Sequence, residues 1–224
     1  MKISKIKIIL EVILIISIFV LIGMINYDYI NMKKTEEFTG EIIGEIDKII
    51  KDNENNKNDT LIIADNTEKL NYNQKSNQEN NADTFAMQTQ TQTVSIAGYN
   101  VFGKIKIDKI NIEYPILEYS NSVALWKSIC KISSNNIDGT GNLCLAGHNM
   151  RNLSMFGNLR KLANGDKIQI TDLKGKEYVY EVFDKFYINP DEVQVLENTD
   201  ESIVTLITCN DASNKRLIVR GRLT

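Results

Sequence analysis

The sequence predicts a mostly-β domain, a barrel or sandwich, carried behind a membrane-spanning helix. Three observations point there. Ile8 to Ile25 is an almost unbroken apolar run. From Ile96 onward, short alternating or β-branched runs recur between turn residues. Between the two lies a stretch rich in Asn, Gln, Asp and Thr, which cannot bury enough apolar surface to fold alone. The expected organisation is an anchor with its cytoplasmic N-terminus over 1–27, a juxtamembrane helix and disordered polar stalk over 28–95, and a folded domain over 96–224.

The apolar run comes first. Its 18 residues, at about 1.5 Å of rise each, span roughly 27 Å, close to the hydrocarbon core of a bilayer. Glu11 is its one charge and sits near the edge. Lys2, Lys5 and Lys7 precede the run, whereas Asp28, Lys33, Lys34, Glu36 and Glu37 nearly balance after it. The positive-inside bias puts the N-terminus in the cytoplasm and the rest of the chain outside the cell membrane. A cleaved signal peptide would have a shorter apolar region ending in an A-x-A-like site, and no such site follows Ile25.

Phe38, Ile42, Ile46 and Ile49/Ile50 then fall at helical spacing. This predicts a short amphipathic helix above the membrane, marginal unless something packs on it. Beyond Lys51 the composition turns polar up to Thr93, and a coil of that length would span on the order of 35–40 Å.

In the domain, Ile105 and Ile107, then Ile110 and Ile112, alternate around Asp108-Lys109 and read as two short strands, with Pro115 at an edge or bend. Val123 to Ile132 reads as a helix carrying Trp126. Asp138 to Gly141 is a turn, and Leu143 to Ala146 a strand ending at Gly147-His148. Ser154 is expected to cap a helix with Met155, Leu159 and Leu162 on one face, stopped by Gly165. Lys167 to Thr171 and Tyr178 to Val182 form a hairpin around Asp172 to Lys176. Pro190-Asp191-Glu192 opens a short helical turn. Last come Ile203 to Ile207, a buried strand running into Cys209, and Leu217 to Val219, a strand led by Arg216.

Composition narrows the function. The net charge of −3 gives no footprint for nucleic acid. The three cysteines show no C-x-x-C spacing, and no tight acidic cluster occurs, so neither a metal nor a cofactor is expected. Cys130 and Cys144 read as small core groups. Cys209 differs, because a strand end holds a reactive group rigidly and a loop beyond it gives access. A cysteine nucleophile works as a thiolate with a base or a positive neighbour. The single histidine, His148, sits at another strand end, and Arg216 supplies fixed charge and forked donors to an oxyanion. If the last two strands pair, Cys209 and Arg216 flank one connection.

Here the chain resembles the sortases, the cysteine transpeptidases of Gram-positive surfaces. Thr205-Leu206-Ile207-Thr208-Cys209 matches their Thr-Leu-any-Thr-Cys box, Arg216-Leu217-Ile218-Val219 their following Arg-led strand, and Leu145-Ala146-Gly147-His148-Asn149-Met150 their histidine segment. The resemblance covers roughly residues 100–224 and implies an eight-stranded sortase β-barrel with short helices. It implies that Cys209 attacks the Thr–Gly carbonyl of an LPXTG-like sorting signal and forms a thioester. His148 would protonate the leaving amine and deprotonate the incoming one. Arg216 would hold substrate and stabilise the oxyanion, and Thr208 would shape that pocket. Partners would be surface proteins with such signals, and a peptidoglycan-precursor amine or pilin lysine as acceptor. His148 to Arg151 with Ser154 to Gly157 resembles class B members, whereas the stretch around Pro190 to Val193 looks more like class A or D. A non-catalytic extracellular binding domain is the alternative, in which the three residues would be incidental.

Overall fold

A computed structural model of the chain describes residues 2–63 and 94–224, apart from 134, 136, 138–139 and 211–212. The turn expected at Asp138-Gly139 and most of the polar stalk lie outside the described residues.

Helix α1 runs from Lys2 to Ile63. Its N-terminal part is long and apolar enough to cross a membrane, with a mean hydropathy of 3.1 over the best window and none of that window buried. This suggests membrane anchoring by the helix.

Nine strands follow: β1 Val94–Ile96, β2 Tyr99–Ile107, β3 Ile112–Leu117, β4 Ile129–Lys131, β5 Gly141–Ala146, β6 Lys167–Asp172, β7 Glu177–Ile188, β8 Ser202–Asn210 and β9 Lys215–Leu223. Eight of them close a barrel in the order β2-β3-β4-β5-β8-β9-β7-β6, with β6 pairing back onto β2. The short β1 only extends the β2 edge. The expected mostly-β eight-stranded barrel is therefore the fold. Closure leaves no free sheet edge around the circuit. It requires a close approach at Gly103, where any Cβ would lie 2.3 Å from the Thr171 carbonyl oxygen.

The barrel interior is filled by residues alternating along the strands, among them Ile105, Ile116, Leu143, Leu145, Tyr180, Val204, Leu206 and Val219. Pro115 pairs with Lys104 of β2, one residue before β4 joins the other side of β3 at Ile116. The β6–β7 turn is held by the Asp172 carboxylate, which accepts from the N–H groups of Lys174 and Lys176, both at 2.9 Å.

Two expected helices are corrected. The segment from Val123 to Ile132 is helical only over α2, Ser122–Lys127, and then becomes strand β4. Asn121 caps α2 by accepting from the Ala124 N–H. Ser128 ends it in an extended conformation, its hydroxyl donating to the Pro115 carbonyl while Ile129 pairs with Ile116. After Ser154 there is no α-helix, only a 3-10 turn at Leu159–Lys161. Leu153 (φ 67°) and Met155 (φ 49°) adopt left-handed backbone, which no α-helix tolerates. The apolar pattern was a burial pattern all the same: Met155, Leu159 and Leu162 are fully buried.

A second core forms outside the barrel. Ile42 and Ile46 of α1 are fully buried against Val101, Leu117, Ala124, Cys130 and Leu173. Lys104 ties the helix down further, its Nζ 2.8 Å from Asp47 Oδ1 and 3.1 Å from Glu113 Oε1. Asn53 donates to the Leu173 carbonyl at 3.0 Å. Burying the two isoleucines is worth roughly 3–6 kcal/mol before the cost of ordering. This is the tertiary support that a helix with one apolar stripe needs.

Candidate active site

Strands β5 and β8 lie side by side and parallel, with Ala146 opposite Ile207. Parallel neighbours leave the sheet at the same rim. His148 and Cys209, each two residues beyond that matched pair, therefore emerge together. Strand β9 runs antiparallel to β8, and its register sets Arg216 directly opposite Cys209. Directly opposite residues share a face of the sheet, so thiol and guanidinium point the same way. The pattern of strand ends seen in the sequence thus becomes one rim.

Side chains complete the link. Arg216 Nη1 donates to Cys209 Sγ at 3.0 Å, which sets a permanent positive charge against the sulfur. Both residues are half-buried. The Thr208 hydroxyl donates to the Gly147 carbonyl at 2.8 Å, and the Gly147 N–H donates to the Ile207 carbonyl at 3.1 Å. The residue before the cysteine and the residue before the histidine are thereby locked together. His148 accepts from the Phe156 N–H through its carbonyl. Its ring lies against the Trp126 indole, with centroids 4.4 Å apart and planes at 36°.

Gly147 is the tight point of this arrangement. A Cβ there would meet the Phe156 ring at 2.8 Å. The loop beyond His148 folds back on itself, with Asn149 bridging to Met155 and Phe156 wholly buried. An open cleft of about 270 Å³ lies at the rim, lined by Asn149, Phe156, Arg160, Tyr187, Thr208 and Cys209 among others.

Beneath the rim, Asn142 and Thr205 are both fully buried, and the Thr205 hydroxyl donates to Asn142 Oδ1 at 2.6 Å. The Asn142 amide in turn donates to the carbonyls of Val195 and Glu197, at 2.8 and 3.1 Å. This pins the β7–β8 connection onto the outer face of the sheet, where Val195 packs with Ile188 and Ile218. The first Thr of the Thr-Leu-any-Thr-Cys box is therefore structural, and its partner Asn142 carried no signal in the sequence. Between Phe183 and Cys209 the only helical piece is the 3-10 turn Gln194–Leu196.

The three thiols are chemically unlike. Cys130 and Cys144 are buried. Burial pushes the Cys130 thiol up to about 12. Burial also pushes Cys144 up, to about 11, although Arg220 pulls the other way. Both are therefore held as the neutral thiol at pH 8, whereas the thiolate is the reactive form. Iodoacetamide at pH 8 is thus expected to label the native chain at Cys209 alone, read by peptide mapping. Labelling of Cys130 or Cys144 before unfolding would contradict the burial described.

A family model described as the sortase domain matches residues 105–224. Sortase A of Listeria monocytogenes is 36% identical over 126 residues, covering 55% of this chain and 56% of that protein. Sortase A of Bacillus anthracis is 33% identical over 137 residues, covering 60% and 65%. The alignments thus span a little over half to about two thirds of these curated relatives. Among solved structures, a Clostridium perfringens sortase D5 transpeptidase superposes with a TM-score of 0.52 at 31% identity, covering 55% of this chain and 79% of that one. The matched residues hold most of the barrel and all three strand ends of the rim, and the chain belongs to the sortase family.

Proposed function

We propose that this protein is a membrane-anchored cysteine transpeptidase that cleaves the Thr–Gly bond of an LPXTG-like sorting signal and passes the acyl group to an amine. The observation that carries this reading is the cross-strand pair at the rim: a half-buried thiol with a guanidinium nitrogen 3.0 Å from its sulfur, beside the segment bearing the only histidine. That combination suits acyl transfer, which needs a nucleophile, a proton carrier and a donor to the oxyanion.

In the first step Cys209 sulfur, as thiolate, bonds to the threonine carbonyl carbon. The carbonyl electron pair moves to oxygen, where the Arg216 guanidinium can donate to it. As the pair returns, the C–N bond breaks and the glycine amine leaves with a proton from His148. A thioester remains. In the second step an incoming amine attacks that carbon, gives its proton to His148, and the Cys209 thiolate departs. The acceptor is a peptidoglycan-precursor amine or a pilin lysine. Thr208 acts by shape, since its hydroxyl is committed to the Gly147 carbonyl and holds cysteine and histidine segments in register. The lysines before the apolar run support a cytoplasmic N-terminus and an extracellular barrel.

The test is direct. The full chain in detergent is incubated with an LPXTG-type peptide, quenched in acid and digested. An acyl mass on the Cys209 peptide, cleared by added triglycine with formation of the ligated product, is the expected result. Absence of adduct and of cleavage across several sorting-signal variants would sink the reading in favour of a binding domain.

A further inference from the structure

Trp126 is the chain's only tryptophan and is 59% exposed, so it contributes little to either core. Its indole lies against the His148 ring. The helix that carries it is not free. Ala124 of α2 is buried in the second core with Ile42 and Ile46 of α1, and Leu125 packs there too. Lys127 Nζ lies 5.5 Å from the centre of the Phe38 ring, and Phe38 meets Tyr99 edge-on at 5.3 Å. Asn121 caps the N-terminus of α2, and its last turn closes on Ser128. The N-terminal helix thus packs against α2, and α2 carries the indole that meets the imidazole.

We infer that Trp126 is a positioning residue for His148, and that α1 sets its place by clamping α2 against the barrel. The inference rests on the proposed role of His148 in proton transfer. An imidazole that must face first a leaving amine and then an incoming one works only over a narrow range of ring orientations. A flat indole on one side limits that range, because offset or tilted aromatic pairs have preferred geometry. Since α1 is also the apolar, membrane-suited helix, the placement of the proton carrier depends on the segment that anchors the chain.

With one histidine and one tryptophan, the chain reports on both rings without ambiguity. In the full chain in detergent, the His148 ring protons are expected to resonate upfield, shielded by the indole, and to move downfield in Trp126→Ala. The same substitution is expected to lower kcat for peptide transfer about threefold to tenfold, the population change that losing one aromatic contact brings, with KM within twofold. Trp126→Phe, which keeps a flat ring, is expected to restore most of kcat. Phe38→Ala, remote from the peptide, is expected to shift the His148 resonances toward their Trp126→Ala positions and to lower kcat in step. Should that variant not fold, Phe38→Leu removes the ring and keeps the bulk.

A Trp126→Ala chain as fast as wild type, or one altered in KM alone, overturns the positioning role. His148 resonances indifferent to the Phe38 substitution overturn the coupling to α1. A wild-type chain that transfers no peptide at all sinks the transpeptidase reading itself, which is a different result from either.

Discussion

A Cys209→Ala chain is expected to lose peptide turnover by about 10⁶-fold, the scale on which removal of a nucleophile collapses acyl-transfer catalysis. The size follows from the absence of a substitute. Cys144 and Cys130 are buried and their thiols are held protonated, near 11 and 12. Cys144 lies opposite Thr205 in the β5–β8 pairing, well inside the sheet and away from the cleft. Neither can attack a peptide lying in that cleft. The fold should not notice the change. Cys209 is only half-buried, belongs to no apolar cluster, and its sulfur accepts from Arg216 at a rim open to water. Substitutions of that kind stay within about 0.5 kcal/mol of neutral. Product formation by chromatography and the thermal midpoint by calorimetry check the two halves. Residual turnover above one per cent in a well-folded Cys209→Ala chain would mean that the nucleophile is elsewhere.

How much of this was legible in the sequence depends on the range of the interaction. Strands β8 and β9 were plain, because each buries a β-branched run whose neighbours are equivalent all along it. The rim was legible for a related reason: cysteine and histidine sit at strand ends, and strand ends gather at rims. What the sequence withheld is pairing. That β5 lies beside β8, parallel and matched at Ala146–Ile207, depends on the whole barrel closing. The stripe of Phe38, Ile42 and Ile46 was visible as a helix face, but its partner surface is assembled from β2, β3, α2, β4 and the β6–β7 turn. The helix expected after Ser154 failed for the opposite reason. Met155, Leu159 and Leu162 are spaced as a helix would space them, yet the chain buries them by way of two left-handed residues. A spacing pattern reports which side chains go inside, and not by which backbone route. In the sequence Trp126 reads only as part of a helix, because its contact with His148 links residues that only the closed barrel brings together.

Arg216→Lys is expected to lower kcat by about 10²–10³-fold, comparable to removing an oxyanion donor, although the charge is kept. Arg216 is held from both sides: β9 pairs it with Cys209 on β8 and with Ile188 on β7. Its backbone therefore cannot shift to compensate for a different side chain. At rest one guanidinium nitrogen is already engaged with the sulfur at 3.0 Å. A second N–H of the same planar fork can turn to a carbonyl oxygen as the sulfur bonds to carbon, so charge passes from sulfur to oxygen within reach of one group. A lysine presents a compact ammonium, whose strong hydration must be stripped and whose donors are not fixed in a plane. It can meet the sulfur or the oxygen, but it does not hold both in one geometry. The kinetic signature separates this from simple binding. A fork acting mainly on the developing oxyanion gives a fall in kcat with little change in KM, whereas a fork that only grips the peptide gives a raised KM with kcat preserved. The second pattern, or near-normal kinetics in Arg216→Lys, would remove Arg216 from the chemistry and leave its contact with Cys209 as an ordinary surface pairing.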